Sequence, residues 1–179
     1  DTYNSIENLR GSNFADTLTG NSLNNVLNGS IGADRMAGLA GNDTLSGGAG
    51  ADTFAWHLAD KGAAGAPSID QVAGFDSASP AANGDVLDLR DLLQNEATSA
   101  TLDHYLDFNV VGGNTEIRIS SSGAFASGNY AAGSEDQRIV LQNVDIRASL
   151  GLGAAATDSQ IISELLTRGK LLTDVPAGS

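Results

Sequence analysis

The chain contains no cysteine, 3 prolines and few aromatic residues, with 9 Lys and Arg against 22 Asp and Glu. Without cysteine, no disulfide can staple it, and soft-metal sites built on thiolates are excluded. Its 2 histidines offer no His pair for zinc, and neither HExxH nor GxSxG occurs. Each histidine has an Asp nearby, Asp60 for His57 and Asp103 for His104. A surface or packing role is expected for both, and no catalysis. A net charge of −13 argues against nucleic acid as a partner, because phosphates need Lys and Arg. Apolar runs are short, so no membrane insertion is expected, and residues 1–20 show no basic start followed by an apolar core. The first residue is Asp, not Met, so a fragment of a longer protein is expected.

What the chain has instead is glycine, 22 residues of it, some of them in register. Five consecutive nine-residue units run without insertion from Gly11 to Ala55: GSNFADTLT, GNSLNNVLN, GSIGADRMA, GLAGNDTLS and GGAGADTFA. Position one is Gly11, Gly20, Gly29, Gly38 and Gly47; position six is Asp16, Asn25, Asp34, Asp43 and Asp52; position eight is Leu18, Leu27, Met36, Leu45 and Phe54. Glycine at position one, and at position four in Gly32, Gly41 and Gly50, suits a turn with bare carbonyls. One apolar side chain between two small or polar ones then marks a very short strand.

A turn plus a strand every nine residues gives a coil with two units per revolution, so every second unit stacks, about 4.8 Å apart. Asp16, Asp34 and Asp52 then share one column, and Asn25 and Asp43 the other. Carboxylates about 5 Å apart repel by about 3 kcal/mol at an effective dielectric of about 20, so the three-carboxylate column opposes folding without a cation. Hard cations such as Ca2+ accept carboxylate and carbonyl oxygens together, which is what such turns present. The competing reading is a metal-free coil held by stacked Leu and an Asn/Asp ladder, which a run of Asp in register disfavours.

The units resemble GGxGxDxUx, the nonapeptide of the RTX (repeats-in-toxin) calcium-binding parallel β-roll. IENLRG leading in, GGAGADTFAW, GDVLDLRDLL, LDFNVVGGNTEIRIS and QRIVLQNVDI resemble the C-terminal region of large RTX adhesins exported by type I secretion. The fold this implies is all-β: a parallel β-roll, a right-handed coil of nonapeptides, over 1–58 with its lead-in and an aromatic cap at Phe54 and Trp56. A β-rich secretion-signal region follows over 59–179.

In the family each calcium lies between stacked turns, taking position six from both, carbonyls two and four from one and one and three from the next. Carried over, one site takes Ser12, Phe14 and Asp16 with Gly29, Ile31 and Asp34. A second takes Ser30, Gly32 and Asp34 with Gly47, Ala49 and Asp52. A third takes Asn21, Leu23 and Asn25 with Gly38, Ala40 and Asp43. Phe14 and Leu23 stand where the family carries Gly, a departure expected to distort the first turn on each side. Asn25 offers a carbonyl oxygen without charge, and its column reaches Glu7 upstream. Its turn is expected to be an end turn with weak or no calcium, with the strong sites along Asp16, Asp34 and Asp52.

Beyond the repeats, ADKGAAGAPS over 59–68 reads as a surface loop. IDQVAGF, DVLDL, HYLDFNVV, NTEIRIS and QRIVLQNV read as strands, with a hairpin at VVGGNTE, predicting an antiparallel sheet or sandwich packed on the roll's end. Asp85, Asp88 and Asp91 either hold a further calcium with Asp70 or Asp76, or end a strand with Asp88 or Asp91 capping a helical turn. A short helix is predicted at about 158–168, with Thr157 and Gln160 as a capping box and Gly169 as its stop. It serves either core packing or, as the resemblance implies, an uncleaved export signal.

The resemblance implies a calcium-dependent folding and export module of a secreted or surface protein. Its partner would be a type I exporter, an ABC transporter complex; its adhesive target would lie upstream, and the module itself would be a monomer. Two other classes share the roll. One is the noncatalytic tail of a secreted protease or lipase, and the other is an ice- or glycan-binding module. The position-seven rank of Thr17, Val26, Arg35, Thr44 and Thr53 is too broken for ice.

Overall fold

A computed structural model describes residues 7–78, 80–96, 98–125 and 129–174. The strands of the repeats are β1 (Asn8–Arg10), β2 (Thr17–Thr19), β3 (Val26–Ile31), β4 (Arg35–Ala37), β5 (Thr44–Ala49) and β6 (Thr53–Ala55). They pair in parallel with an offset of two units: Leu9 with Leu27 and Leu27 with Leu45 on one side, Leu18 with Met36 and Met36 with Phe54 on the other. This is the coil the spacing predicts, and it stacks every position-eight side chain inward. Leu27, Leu45, Met36 and Phe54 are all 0% exposed. Each such burial contributes about 1.5–3 kcal/mol.

The sheets do not stop at residue 58. Strand β7 (Ser68–Ala73) pairs with β5 and puts Val72 beneath Leu45, and β8 (Val86–Asp88) pairs with β6 and puts Leu87 beneath Phe54. Strands β9 (Leu106–Val111), β10 (Asn114–Ile119) and β11 (Gln137–Gln142) extend the first sheet edgewise, β11 lying parallel to β7 and the others antiparallel. The sheet orders are β1-β3-β5-β7-β11-β10-β9 and, with β12 (Leu171–Leu172), β12-β8-β6-β4-β2. The antiparallel strands therefore continue a roll sheet instead of stacking on its end as a separate layer. The β9–β10 turn is Gly112 and Gly113, both at positive φ (59° and 83°), as a two-residue hairpin of matching twist requires.

Phe54 is correspondingly an interior rung, with Leu87 and then Leu171 below it, and not the lid the sequence suggested. Helix α1 (Ile146–Ser149) is capped by Asp145, and α2 (Asp158–Thr167) by the Thr157–Gln160 box. Ile161, Ile162 and Leu165 of α2 are buried in the common core, and Gly169 (φ 67°) turns the chain into β12. No described helix is long and apolar enough to cross a membrane.

Candidate metal centre

Position six forms a ladder on each side of the roll. The backbone N–H of one rung donates to Oδ1 of the rung below: Asp16 to Asp34 at 2.8 Å, Asp34 to Asp52 at 2.9 Å, Asn25 to Asp43 at 2.8 Å. The ladder continues past the repeats, from Asp43 to Asp70 at 2.7 Å and from Asp52 to Asp85 at 3.0 Å. Below the top rungs one carboxylate oxygen of each Asp is thus committed to the fold, and the remaining oxygen decides what the turn can hold.

The second oxygen separates two kinds of turn. In the first turn, the N–H and hydroxyl of Ser12 donate to Asp16 Oδ2 at 2.6 and 2.8 Å. In the second, the N–H of Asn21 donates to Asn25 Oδ1 at 2.7 Å. Both turns are folded back by position two, whose side chain accepts the N–H of position four: Phe14 to Ser12 Oγ at 3.2 Å and Leu23 to Asn21 Oδ1 at 2.8 Å. These turns are closed on themselves.

The later turns are open. Position two takes positive φ at Ser30 (78°), Leu39 (70°) and Gly48 (102°), and position four at Gly32 (144°), Gly41 (121°) and Gly50 (137°). The residues at the same places in the first two turns do not adopt positive φ. The side chains of Phe14 and Leu23 disfavour the conformation that glycine accepts freely. In the open turns Asp34 Oδ2, Asp43 Oδ2 and Asp52 Oδ2 are buried and accept no hydrogen bond. A buried anion without a donor is costly, on the order of several kcal/mol if it stays charged.

The position-one glycines show where those oxygens point. A Cβ on Gly29 would collide with Asp34 Oδ2 of its own turn and with the Gly47 carbonyl of the turn below. A Cβ on Gly11 would meet Gly29 O and Asp16 Oδ2, and one on Gly20 would meet Asn25 Oδ1 and Gly38 O. Oxygens of two successive turns therefore face the same small space in each of the three expected interfaces. The carbonyls of Ser30 and Gly32 stand over Gly48 and Gly50, those of Phe14 and Leu23 over Gly32 and Gly41. The Ala49 carbonyl takes the Gly32 N–H at 2.9 Å and that of Ser12 the Ile31 N–H at 3.5 Å, each keeping a second lone pair. The predicted donors Ile31 and Ala49 are register partners across β3 and β5, while Ala40 and Gly38 lie in the open turn of Asp43.

Among the described residues no three His, Asp or Glu side chains gather to hold a metal by side chains alone. A cation here depends on carbonyls, the donor set that suits Ca2+ and not zinc. The residues fit that group best between the turns 29–34 and 47–52, where both carboxylates keep a buried free oxygen.

Electrostatics agree. Burial pushes the Asp43 carboxyl up to about 7, opposed by the Asn25 N–H and aided by the nearby charges of Asp70 and Asp60. Burial raises Asp52 too, and lifts Asp70 and Asp85 to about 6. Asp16 moves the other way, held low by the Ser12 N–H and hydroxyl. The turns of Asp43 and Asp52 thus favour either a proton or a cation, and the closed first turn favours neither.

Asp70 and Asp85 as ladder rungs escape the repeat reading. The residues GAPSIDQVA over 65–73 do keep Gly65, Asp70 and Val72 at positions one, six and eight, a signal visible once the excursion 56–64 is set aside. Asp70 Oδ2 is taken by Trp56 Nε1 (2.7 Å) and Gln137 Nε2 (2.8 Å), and Asp85 Oδ2 by the Asp76 N–H (2.8 Å). Asp88 caps no helix; it pairs with Arg90 and Arg35 at 2.8 and 3.1 Å, while Asp91 lies exposed, 3.9 Å from His57. His57 Nδ1 is 2.9 Å from Asp60, and His104 Nε2 3.8 Å from Asp103.

Residues 19–54 match the family model described as the RTX calcium-binding nonapeptide repeat (4 copies). An RTX-type calcium-binding repeat region is therefore present, and almost all of the first unit, 11–19, lies outside the match. No curated protein sequence matches the chain. Among solved structures, the chain is similar to the AlgE6R2 subunit of the Azotobacter vinelandii mannuronan C5-epimerase, at 22% identity over 96% of this chain and 95% of that one, TM-score 0.39. It is also similar to the AlgE6R3 subunit of that epimerase, at 22% identity over 83% and 85%, TM-score 0.29.

Proposed function

We propose that the chain is a calcium-gated folding and export module, the C-terminal part of a secreted or surface-anchored RTX adhesin released through a type I exporter. Residues 1–58 supply the calcium chemistry and 59–179 the cap and the export information. Because the sheets run across residue 58, this is a division of roles and not of folding units. The observation that carries the reading is the trio of buried, unpartnered oxygens on Asp34, Asp43 and Asp52.

Asp34 and Asp52, with the carbonyls of Ser30, Gly32, Gly47 and Ala49, hold the central site. Ser12, Phe14, Asp16, Gly29, Ile31 and Asp34 serve the site before it. Asn21, Leu23, Asn25, Gly38, Ala40 and Asp43 serve the opposite side. Bound calcium supplies the positive charge that lets these carboxylates stay ionised inside the fold. A ligand that binds only the folded state stabilises it by about 2.7 kcal/mol per site at about a hundredfold excess over Kd. Extracellular sites have Kd of about 0.1–1 mM, well above cytosolic calcium, so the chain stays unfolded inside and folds as it emerges.

Circular dichroism of the protein in chelator and across a calcium titration tests this. β-structure is expected to appear only with calcium; full β-structure in chelator rejects the gate. Export through a type I transporter, undiminished after deletion of 59–179, would reject the export role alone.

A further inference from the structure

Among the described residues the ladder Asp16–Asp34–Asp52 reaches Asp85, whose own N–H donates to the Asp76 carbonyl at 2.8 Å instead of to a further rung. Here the fold contains its own positive charge. Lys170 is 0% exposed, and its Nζ donates to the carbonyl oxygens of Asp76 at 2.7 Å and Asp85 at 2.8 Å. Among the described residues it has no carboxylate within 4.0 Å, so it is held by carbonyls, with Asp85 and Asp76 as the acids whose charge it feels. A Cβ on Gly84 would collide with this Nζ and with the Ala78 carbonyl. As at Gly11, Gly20 and Gly29, a glycine leaves room for polar atoms; here it is the residue before a ladder Asp, and the atoms are one carbonyl oxygen and the ammonium itself. Fully buried lysines are rare because an ammonium loses its hydration, so carbonyls aimed at one indicate a specific use of the charge. Burial lowers its pKa to about 8, which leaves the ammonium charged at neutral pH.

We propose that Lys170 is a built-in cation: its ammonium does for the last rung, Asp85, what calcium does between the turns above, and so makes docking of 158–172 part of roll folding. The side chain is delivered by the turn that ends α2, where the Lys170 N–H donates to the Leu165 carbonyl at 2.8 Å. Its carbonyl accepts the Leu87 N–H at 2.8 Å as β12 seats on β8. The opposite ladder ends on neutral donors, Trp56 and Gln137 on Asp70, so neither end needs a metal. A segment in which the family resemblance places an export signal is thereby a structural part of the roll. It cannot be held by an exporter and by the folded roll at once.

The inference rests on the calcium-gated reading, and the test separates the two. In a calcium titration followed by circular dichroism, Lys170→Met, which keeps an apolar stem, is expected to raise the calcium needed for half-folding by about tenfold or more. Lys170→Ala is expected to be rescued by added propylammonium, and not by propanol or by sodium chloride at the same concentration. A flat titration of the parent protein sinks the gate itself. A parent that titrates normally while Lys170→Met matches it, or rescue of Lys170→Ala by propylammonium no better than by propanol, overturns only the role of Lys170.

Discussion

The first two turns of the roll and the three that follow are built on the same nine-residue frame and differ in whether their position-six oxygens find donors. Turns 11–16 and 20–25 satisfy their position-six oxygens with their own backbone, whereas the turns of Asp34, Asp43 and Asp52 bury an oxygen that accepts no hydrogen bond. The difference traces to positions two and four. Ser12 and Asn21 close a side-chain turn, and Phe14 and Leu23 block the left-handed backbone that Gly32, Gly41 and Gly50 adopt. Whether a turn leaves a buried oxygen unpartnered therefore goes with the backbone freedom of the turn as well as with the carboxylate it carries.

The hardest way to break this comparison is to remove one charge from each class. Asp34→Asn keeps an oxygen for the ladder but loses the charge, and the calcium needed for half-folding should rise by about tenfold or more, against less than about threefold for Asp16→Asn. Equal shifts in the two titrations would erase the distinction between closed and open turns.

Acidity should separate the same regions without metal. Asp43, Asp52, Asp70 and Asp85 have carboxyl pKa values raised by burial, so the folded chain binds more protons than the unfolded one between about pH 4 and pH 7. Their cost is absent below the unfolded pKa and complete above the folded one. In chelator the folded fraction should therefore grow as pH falls from about 8 to about 5. Asp16, whose pKa is lowered, acts in the opposite sense, its contribution fading as pH drops through its folded value. Circular dichroism in chelator at several pH values measures the sum, and β-structure that falls steadily on acidification from pH 8 would contradict it.

A milder test opens a closed turn. Asn25→Asp alone should change little, because Asn21 N–H already fills that oxygen's acceptor role. Leu23→Gly with Asn25→Asp should lower the calcium midpoint by about threefold and add bound calcium by calorimetry. The smallest effect belongs to Ser12→Ala, which removes a hydroxyl from Asp16 Oδ2 but leaves the backbone N–H in place. It should lower the denaturant midpoint only slightly with calcium saturating.

Much of the roll was legible because its period fixes register. Once Leu27 faces inward, an 18-residue offset puts Leu45 beside it, and position six follows on the opposite side of the turn. The hairpin at Gly112–Gly113 and the capped helix α2 were legible for the same kind of local reason. The destination of the later strands was not. The Gly65, Asp70 and Val72 frame marks Ser68–Ala73 as a further turn only once the excursion 56–64 is set aside, and nothing local tells β11 to pair with β7 in parallel.

The sequence by itself determined the coil, its two columns of carboxylates and the calcium chemistry they imply, since each depends on spacing along the chain. Only the tertiary structure decided which oxygens remain free, because that depends on φ at positions two and four and on donors brought from far away. Trp56 and Gln137 close Asp70 from 14 and 67 residues away, and Asp85, closed by the Asp76 N–H, has its carbonyl held by Lys170 from 85 residues away. Hydrogen-bond satisfaction in a buried site is a property of the assembled surroundings, and a repeat pattern cannot encode the partners that end it.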